Sequence, residues 1–503
     1  MAERKIAHPS VGDRAAVGFR ARDRAPLSSH TNWSPATDRP DPIALLAEQD
    51  TTREPDLVSV RHGRMIVSPF TFYRGAAAIM AADLATTPAA GLEAQLCGDA
   101  HLSNFGMFAS PERRLLFDLN DFDETLPGPF EYDVKRMAAS FTIVGRNNGF
   151  SKADTRAVTL ASVRAYREAM ASFAQMGTID VWYASLDEDE LKTSIHNLAA
   201  GKARQQQTAK RAEEAGKRAK APEKAEKQMA KQEKAAKTEQ KRAVKTLDKA
   251  HTRDSLQALS KLGELADGKY RIVSQPPIVV PLRDLAATYG LSAEETEHSI
   301  REQFRAYRAT LEGDRRLLLD RFEIVDAARK VVGVGSVGTR CFIVLLQGRD
   351  VHDPLFLQIK EATASVLEPY VRKSRYRQHG ERVVYGQRLM QATSDIYLGW
   401  TKGPDVRHHF YWRQLRDMKG SADVEAKTPP DLTYYARICG WTLARAHARS
   451  GDPIAIATYL GDSDSFEKSV TNFAERYAGQ NEQDYQEFVN AVSAGRLQAT
   501  DGV

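Results

Sequence analysis

Two periods run through the apolar positions of this chain. Asp41-Pro42-Ile43-Ala44-Leu45-Leu46 predicts a helix start, with a capping carboxylate, a proline at the first helical position and apolar residues behind it. The Ala/Met-rich run from Ala76 to Leu84 predicts a second helix. Phe105 to Ala109 and Leu115 to Leu119 read as short strands, joined by the polar, proline-containing turn Ser110-Pro111-Glu112-Arg113. Glu131 to Val144 predicts a helix, its apolar positions falling at Val134, Met137, Ala138 and Phe141. Residues 284–325 also read as helical. Lys330-Val331-Val332 and Thr339 to Leu346 then alternate like two paired strands joined by glycines, and Leu355 to Lys360 forms a third strand ending on a lysine. One or two helices follow, then a strand over Phe410 to Leu415 and a flexible exit over Asp417 to Ser421. Leu432 to Ala448 predicts an amphipathic helix, and the tail from Ser465 reads as helix with a break at Gly479. There is no internal repeat.

The chain has 503 residues, 42% apolar and 27% charged, enough for two or three domains or one two-lobed body. Residues 1 to about 40 are polar, basic and rich in Pro, Ser and Arg, and predict a loose arm. No apolar run approaches the roughly 18 residues of a membrane span, and Met1-Ala2-Glu3-Arg4-Lys5 is not followed by an apolar stretch. Cys97, Cys341 and Cys439 show no metal spacing. No membrane contact and a cytoplasmic setting with reduced thiols are therefore expected. The net charge of +5 is largely local, because residues 202–249 carry sixteen Lys/Arg against seven Asp/Glu. That Ala/Lys/Glu-rich stretch reads as a solvated helical insertion, or as a surface for an anionic partner such as RNA or an acidic protein; it has no aromatic residue to stack a base.

The chemistry concentrates in two distant places. Cys97-Gly98-Asp99-Ala100-His101-Leu102-Ser103-Asn104 is followed, after the expected hairpin, by Phe117-Asp118-Leu119-Asn120-Asp121-Phe122-Asp123. Phosphoryl transfer needs this set: a carboxylate beside the attacking hydroxyl, with an amide oxygen and a second carboxylate for Mg²⁺, a hard cation that prefers oxygen. Asp99 suits the first role, Asn104 and Asp121 the second, with Asp118 and Asp123 as rivals of Asp121. Strand alternation places Asp121 and Asp123 on one side and Asp118 on the other. Much later comes Gly333-Val334-Gly335-Ser336-Val337-Gly338, which leads into β-formers, whereas a dinucleotide-binding glycine loop must open a helix. Glycines between two strands with Lys360 on the next are a kinase-type phosphate clamp, in which Gly333, Gly335, Ser336 and Gly338 cover the phosphates. Lys360 then requires an orienting carboxylate; Glu381 is preferred and Glu368 competes. His101 reads as a hydrogen-bonding support of the site, and Asp133 as the pin of a helix start. A zinc site and a Gly-x-Ser-x-Gly hydrolase elbow are both absent. Ser450-Gly451-Asp452 imitates a catalytic loop, but Ala457 stands where a metal ligand would be needed.

These residues resemble the aminoglycoside phosphotransferase and choline kinase branch of the protein-kinase-like fold, which carries His-Gly-Asp-x-His-x-x-Asn, a hairpin and then Ile-Asp-Phe. Here Cys97 replaces the first histidine, and Asn120-Asp121-Phe122 ends the strand. Gly128 to Asp133 resembles the segment after that branch's metal aspartate, and Leu443-Ala444-Arg445-Ala446-His447 the helix that runs into its catalytic loop. Over nearly its whole length, on Cys97 to Gly106, Phe117 to Thr125 and Gly386 to Gln391, the chain is similar to a bacterial family known as domain of unknown function 2252. The resemblance implies an α+β, two-lobed, kinase-like fold using ATP and Mg²⁺, with Asp99 as catalytic base and Asn104 and Asp121 as metal ligands. The order of the motifs implies circular permutation. The expected layout is an arm to 40, a first part of the helical lobe over 41–200, the insertion over 201–255, a helical connection over 256–325, a β-rich nucleotide lobe over 326–420 and the rest of the helical lobe over 421–503. Two geometric expectations follow: the helix ending near His447 lies beside residues 90–98, and the Lys360 side chain comes within about 10 Å, roughly a Debye length, of the Asn104 and Asp121 oxygens. The acceptor stays open, small molecule or protein, as do AMP transfer to a protein and a non-catalytic nucleotide-binding scaffold.

Overall fold

The computed structural model describes residues 8–191, 193, 255–266, 269–285, 290, 292–415, 418–500 and 502, and its architecture is mixed α+β. The basic insertion lies outside the described residues.

The front of the chain supplies helices α1 (Val11–Arg24), α2 (Pro42–Asp50), α3 (Pro55–Met65), α4 (Pro69–Gly75) and α5 (Ala77–Ala85). Strands β1 (Glu93–Leu96), β2 (Phe105–Ala109), β3 (Leu115–Leu119) and β4 (Leu126–Pro129) follow, then α6 (Phe130–Asn147), α7 (Lys152–Phe173) and α8 (Thr178–Tyr183). Next come α9 (Ser255–Leu262), β5 (Gly263–Ala266), β6 (Lys269–Ile272), β7 (Val279–Pro281), α10 (Leu282–Leu285), α11 (Ala293–Arg308) and α12 (Gly313–Leu319). The rear holds β8 (Glu323–Lys330), β9 (Cys341–Gln347), β10 (Pro354–Ala362), α13 (His379–Met390), β11 (Gly399–Lys402), β12 (His409–Gln414) and β13 (Gly420–Ser421). It closes with α14 (Pro429–Ala448), α15 (Pro453–Leu460) and α16 (Ser465–Ser493).

A six-stranded antiparallel sheet, in the order β11-β12-β10-β9-β8-β7, is covered on both faces. Leu355 and Leu357 of β10 pack with Val344, Leu346 and Trp412 beneath Phe304 and Tyr307 of α11. The Tyr307 ring stacks on Trp412 at 4.4 Å. The opposite face buries Ile343, Leu345 and Phe356 under Ala258, Leu259 and Leu262 of α9. Strand alternation puts Gln358 and Lys360 on this second face, beyond the reach of α9.

A helical body built on α6, α7, α14 and α16 shares the largest hydrophobic core with the front strands. Helices α14 and α7 approach so closely that a Cβ at Gly440 would stand 2.1 Å from the Ser162 carbonyl oxygen. The hairpin β2–β3 extends this body. Its outer strand comes from the rear of the chain, since Gly420 pairs with Met107 and Ser421 with Gly106.

Several elements differ from the sequence expectations. The described part of the arm is folded rather than loose: Ser10 and Asp13 form a capping box on α1, and Ala21, Ala25 and His30 are buried. Its arginines masked this, because Arg22 covers the α15 end by donating to the Thr458 and Tyr459 carbonyls at 2.7 and 2.8 Å. The connection before the sheet contributes strands β5, β6 and β7 as well as helices. Strand β10 continues past Lys360 to Ala362, and one helix, α13, follows it. Helix α16 runs unbroken through Gly479, where packing of Tyr477, Ala478 and Asn481 outweighs the roughly 1 kcal/mol cost of a helical glycine. Among the described residues, no helix is long and apolar enough to cross a membrane.

His30 makes the docking of the arm sensitive to pH. Tyr459 Oη donates to the Ala25 carbonyl at 2.8 Å and lies 2.6 Å from His30 Nε2, while His30 Nδ1 is buried without a partner. Burial, with the charge of Lys135, pushes the imidazole down to about 3. The unfolded chain therefore binds the extra proton between about 6.5 and 3, and stability is lost as pH falls through that window, by at most about 1.4 kcal/mol per pH unit. Thermal unfolding of His30→Phe is expected to show a shallower acid slope than the wild type.

Candidate active site

Lys360 organises the site. Its side chain is 3% exposed, and its Nζ lies 2.5 Å from Asp123 Oδ2 and 3.6 Å from Asp121 Oδ2. Tyr411, its register partner on β12, donates to Asp123 Oδ1 at 2.7 Å, and Ser336 Oγ lies 3.3 Å from Asp123 Oδ2. Burial opposes all three charges. Even so, Lys360 and Tyr411 hold the Asp123 carboxyl below its usual range, and the two carboxylates hold the lysine well above its own. Asp121 moves the other way, raised by burial and by the charge of Asp123. Two neighbouring carboxylates are thus driven apart in acidity by unequal access to one cation.

Asp99 stands on a tight turn. Gly98 has φ +83, and a Cβ there would stand 2.3 Å from the Glu124 carbonyl oxygen, so the turn is stacked directly on the acidic segment. Arg136 Nε and Nη2 both lie 2.7 Å from Asp99 Oδ1, while Oδ2 lies 3.7 Å from His101 Nε2. Arg136 is itself held, over the Tyr73 ring at 3.9 Å and on the Tyr73 carbonyl at 2.8 Å. His101 Nδ1 accepts from the Ser103 amide at 3.2 Å, and burial with the nearby Arg74 and Arg136 keeps the ring neutral. Asn104 Nδ2 donates to the Asp99 carbonyl at 2.7 Å, so its amide oxygen is the atom left to act as a ligand.

A cavity of about 480 Å³ is lined by Asp99, Asp121, Asp123, Gly335 and Ser336 among others, while Lys360, His101 and Asn104 are not part of its lining. Not every residue singled out from the sequence reaches it. Gly333 and Gly338 are held away in a link clasped by the α2–α3 region. The Gly333 carbonyl takes Arg64 Nη1 at 2.7 Å, the Gly338 carbonyl takes the Glu54 amide at 2.7 Å, and Arg53 Nη1 donates to Val337. The expected glycine hairpin is therefore a pinned loop, with Val334 and Val337 buried beneath it. Neither Glu381 nor Glu368 pairs with Lys360. The carboxylates come from the front of the chain, because α13 turns Arg382 inward instead. Arg382 donates to the carbonyls of Asp123, Thr363 and Thr125 at 2.8, 2.8 and 2.6 Å. Asp118 faces away from the cavity and pairs with Arg445, both 1% exposed, while accepting the Ala392 amide at 2.8 Å.

Asp133 does more than start a helix. Its carboxylate accepts the amides of Cys97 at 2.8 Å and Gly98 at 3.0 Å, and lies 3.2 Å from His447 Nε2. Gln95 N donates to Ser450 Oγ at 2.9 Å, so the end of α14 does lie beside residues 93–98. Arg53, Arg74, Arg136 and Tyr411 were not singled out from the sequence. For Arg136 a signal existed: Glu131, Asp133, Lys135 and Arg136 interrupt a helix that is otherwise buried.

Among the described residues, no group of three or more His, Cys, Asp or Glu is arranged to hold a metal. The oxygen donors still suit Mg²⁺, which takes one or two carboxylates with water and phosphate rather than a full protein cage. Asp121 and Asn104 are the available donors, since Asp123 is committed to Lys360 and Tyr411.

Asp133→Asn replaces an acceptor oxygen with an amide facing backbone N–H groups. It is expected to cost about 1–3 kcal/mol, measured by chemical denaturation. An unchanged midpoint would contradict the role of Asp133 in holding the loop.

No curated protein and no solved structure matches the chain significantly. Residues 53–235 and 207–491 match the family described as "Uncharacterized protein conserved in bacteria (DUF2252)", and the chain belongs to that family.

Proposed function

We propose that this protein is an ATP- and Mg²⁺-dependent phosphotransferase of circularly permuted, kinase-like architecture. One observation carries the reading: Lys360 meets Asp123 across 237 positions of sequence, at a cavity also lined by Asp99. Contact between the end of α14 and residues 93–98 supports the permutation, because joining those two points would restore the usual order of motifs.

The chain's own groups perform positioning and charge neutralisation. Asp99, gripped on one oxygen by Arg136, presents the other to the acceptor hydroxyl and takes its proton as the phosphoryl group transfers. Lys360 draws a phosphate oxygen towards the acidic pair, and Ser336 with the neighbouring amides borders the phosphates. Asp121 and Asn104 would hold Mg²⁺, which would neutralise the negative charge of the phosphates.

Asp99→Asn is expected to lower transfer on the order of 100-fold or more while leaving Mg·ATP affinity within about twofold. Equal turnover by wild type and variant would remove Asp99 from the chemistry. Incubation with α- and γ-labelled ATP separates the reactions: γ-label in the product is phosphate transfer, α-label alone is AMP transfer. ATP binding with neither label transferred favours a scaffold.

A further inference from the structure

The segment that joins β10 to α13 carries charge that the site does not use. From Pro369 to Gly380 it holds Arg372, Lys373, Arg375 and Arg377 and no Asp or Glu. All four cations are exposed, and none forms an ion pair among the described residues. The flanking carboxylates do not pair with them: Glu368 Oε1 is buried without a hydrogen-bond partner, and Glu381 is half-buried in the first turn of α13. An exposed basic run is ordinarily a solvated face, but this one is held in place at both ends. Ser365 Oγ donates to the Glu124 carbonyl at 2.8 Å and the Val366 amide to Glu124 Oε2 at 2.7 Å, which ties its start to the residue after Asp123. Tyr376 stacks on Tyr385 of α13 at 5.1 Å, and Gln378 Nε2 donates to the Thr401 carbonyl of β11 at 2.6 Å. Pro369 and Tyr370 stand in the wall of the 480 Å³ cavity that contains Asp99, and Tyr370 is 37% exposed, so the wall reaches the surface there. Arg372 follows two positions on, within about 7 Å along the chain. The cations are therefore displayed in series from the rim of the cavity.

The surroundings of the run select its partner. A single small anion gains little here, because one exposed ion pair is worth at most about fivefold in affinity. Nucleic acid needs free rings on which to stack its bases. Tyr376 already carries the Arg375 guanidinium, 4.9 Å from its ring centre, as well as the Tyr385 ring, and Tyr385 leans on Trp400 at 5.9 Å. A bilayer needs apolar side chains to insert, and Val371, the aliphatic residue of the run, packs against the helical core. A polypeptide with several carboxylates in sequence meets the run with one charge for each cation and needs neither a free ring nor an apolar anchor.

We infer that the run from Arg372 to Arg377 is a docking surface for an acidic segment of a protein partner, whose adjoining residues then lie at the rim of the cavity. The surface stands on this loop alone; that the partner is the acceptor, and so a protein rather than a small molecule, rests on the phosphotransferase reading.

The test uses the full chain and labelled peptides in which one serine, threonine or tyrosine stands among glutamates, followed by fluorescence anisotropy, with Mg·ATP titrated separately by calorimetry. Wild type should bind the peptides, and more weakly as salt is raised, because exposed charges are screened. Arg372→Gln with Lys373→Gln, and Arg375→Gln with Arg377→Gln, should each weaken binding on the order of tenfold, and all four together should abolish it. Arg372→Lys should bind like the wild type, and so should Lys152→Gln, which removes an exposed charge elsewhere on the surface. Mg·ATP affinity should stay within about twofold throughout, since an exposed charge outside the cavity adds little to it. Melting curves check that each variant folds, and either pair carries the test without the other. Failure of wild type to bind the peptides, or binding that survives loss of all four cations, overturns the surface. Tighter binding of oligouridylate or of phosphatidylserine vesicles, lost in the same variants, overturns its assignment to a protein. Binding of both peptides and Mg·ATP, with no label passing from ATP to any of the three hydroxyls, overturns the acceptor claim. Peptide binding without any Mg·ATP binding leaves the surface standing and sinks the phosphotransferase reading instead.

Discussion

A buried ammonium must have carboxylates, and the site is arranged around that requirement. Lys360 leaves the six-stranded sheet on the α9 face, beyond the reach of that helix, at a depth where only 3% of its side chain meets solvent. Left alone it would lose its proton or the fold would pay several kcal/mol. Among the described residues the rear of the chain brings no carboxylate into an ion pair with Lys360, since α13 presents Arg382 and the adjacent Glu361 is bound to Arg340 at 3.3 Å. The front of the chain must therefore be brought to the sheet. Arg382 on the Asp123 carbonyl, Arg413 on the Asn120 carbonyl at 3.1 Å and Tyr411 on Asp123 hold it there. Backbone carbonyls and acidic side chains of one short segment thus receive donors from three rear elements.

A second seam locks the same two parts of the chain on the other side of the cavity. Asp133 binds the backbone of the Asp99 turn and the imidazole of His447, whose Nδ1 is 2.9 Å from the Tyr166 hydroxyl. Asp118 and Arg445 form a wholly buried pair across 327 positions, and β13 completes the sheet of β2 and β3. Asp99 and Asp121 therefore sit between two seams, each made by front and rear together. Neither half could position its catalytic candidates alone.

What was readable from sequence follows the range of the interaction that determines it. The N-cap at Asp41, the hairpin around Pro111 and strands β9, β10 and β12 depend on local periodicity and turn chemistry, and they form close to where expected, whereas β8 ends at Lys330, where a strand was expected to begin. The run Cys97–Asn104 and the run ending at Asp123 were readable because the chemistry demands particular residue types at close spacing. Long-range choices were not. Glu381 and Asp123 are both carboxylates that could face Lys360; which one does depends on the side of α13 that meets Thr125, where a Cβ at Gly386 would come within 2.4 Å. The ordered arm hid behind its arginines, and Arg53 and Arg74 are recognisable as cavity residues only from the fold. Gly479 shows the reverse error, a local breaker overridden by a packed helix face.

The grip of Arg136 on Asp99 bears on how the proposed base would work. A carboxylate that accepts two donors of one guanidinium is held in place by them. Rotation about its side chain is also removed, so the remaining oxygen points in one direction. Phosphoryl transfer with a loose transition state asks little of a base until late in the reaction, and much of the alignment of the nucleophile. A well-aimed carboxylate suits that demand better than a mobile one. The same logic explains why the turn carries so many restraints. Gly98 leaves no room above Glu124, Asp133 holds two successive amides, and Asn104 ties its side chain to the Asp99 carbonyl. Each restraint fixes an angle rather than a charge, and together they hold the Asp99 carboxylate in the cavity wall, where the proposed acceptor hydroxyl would arrive.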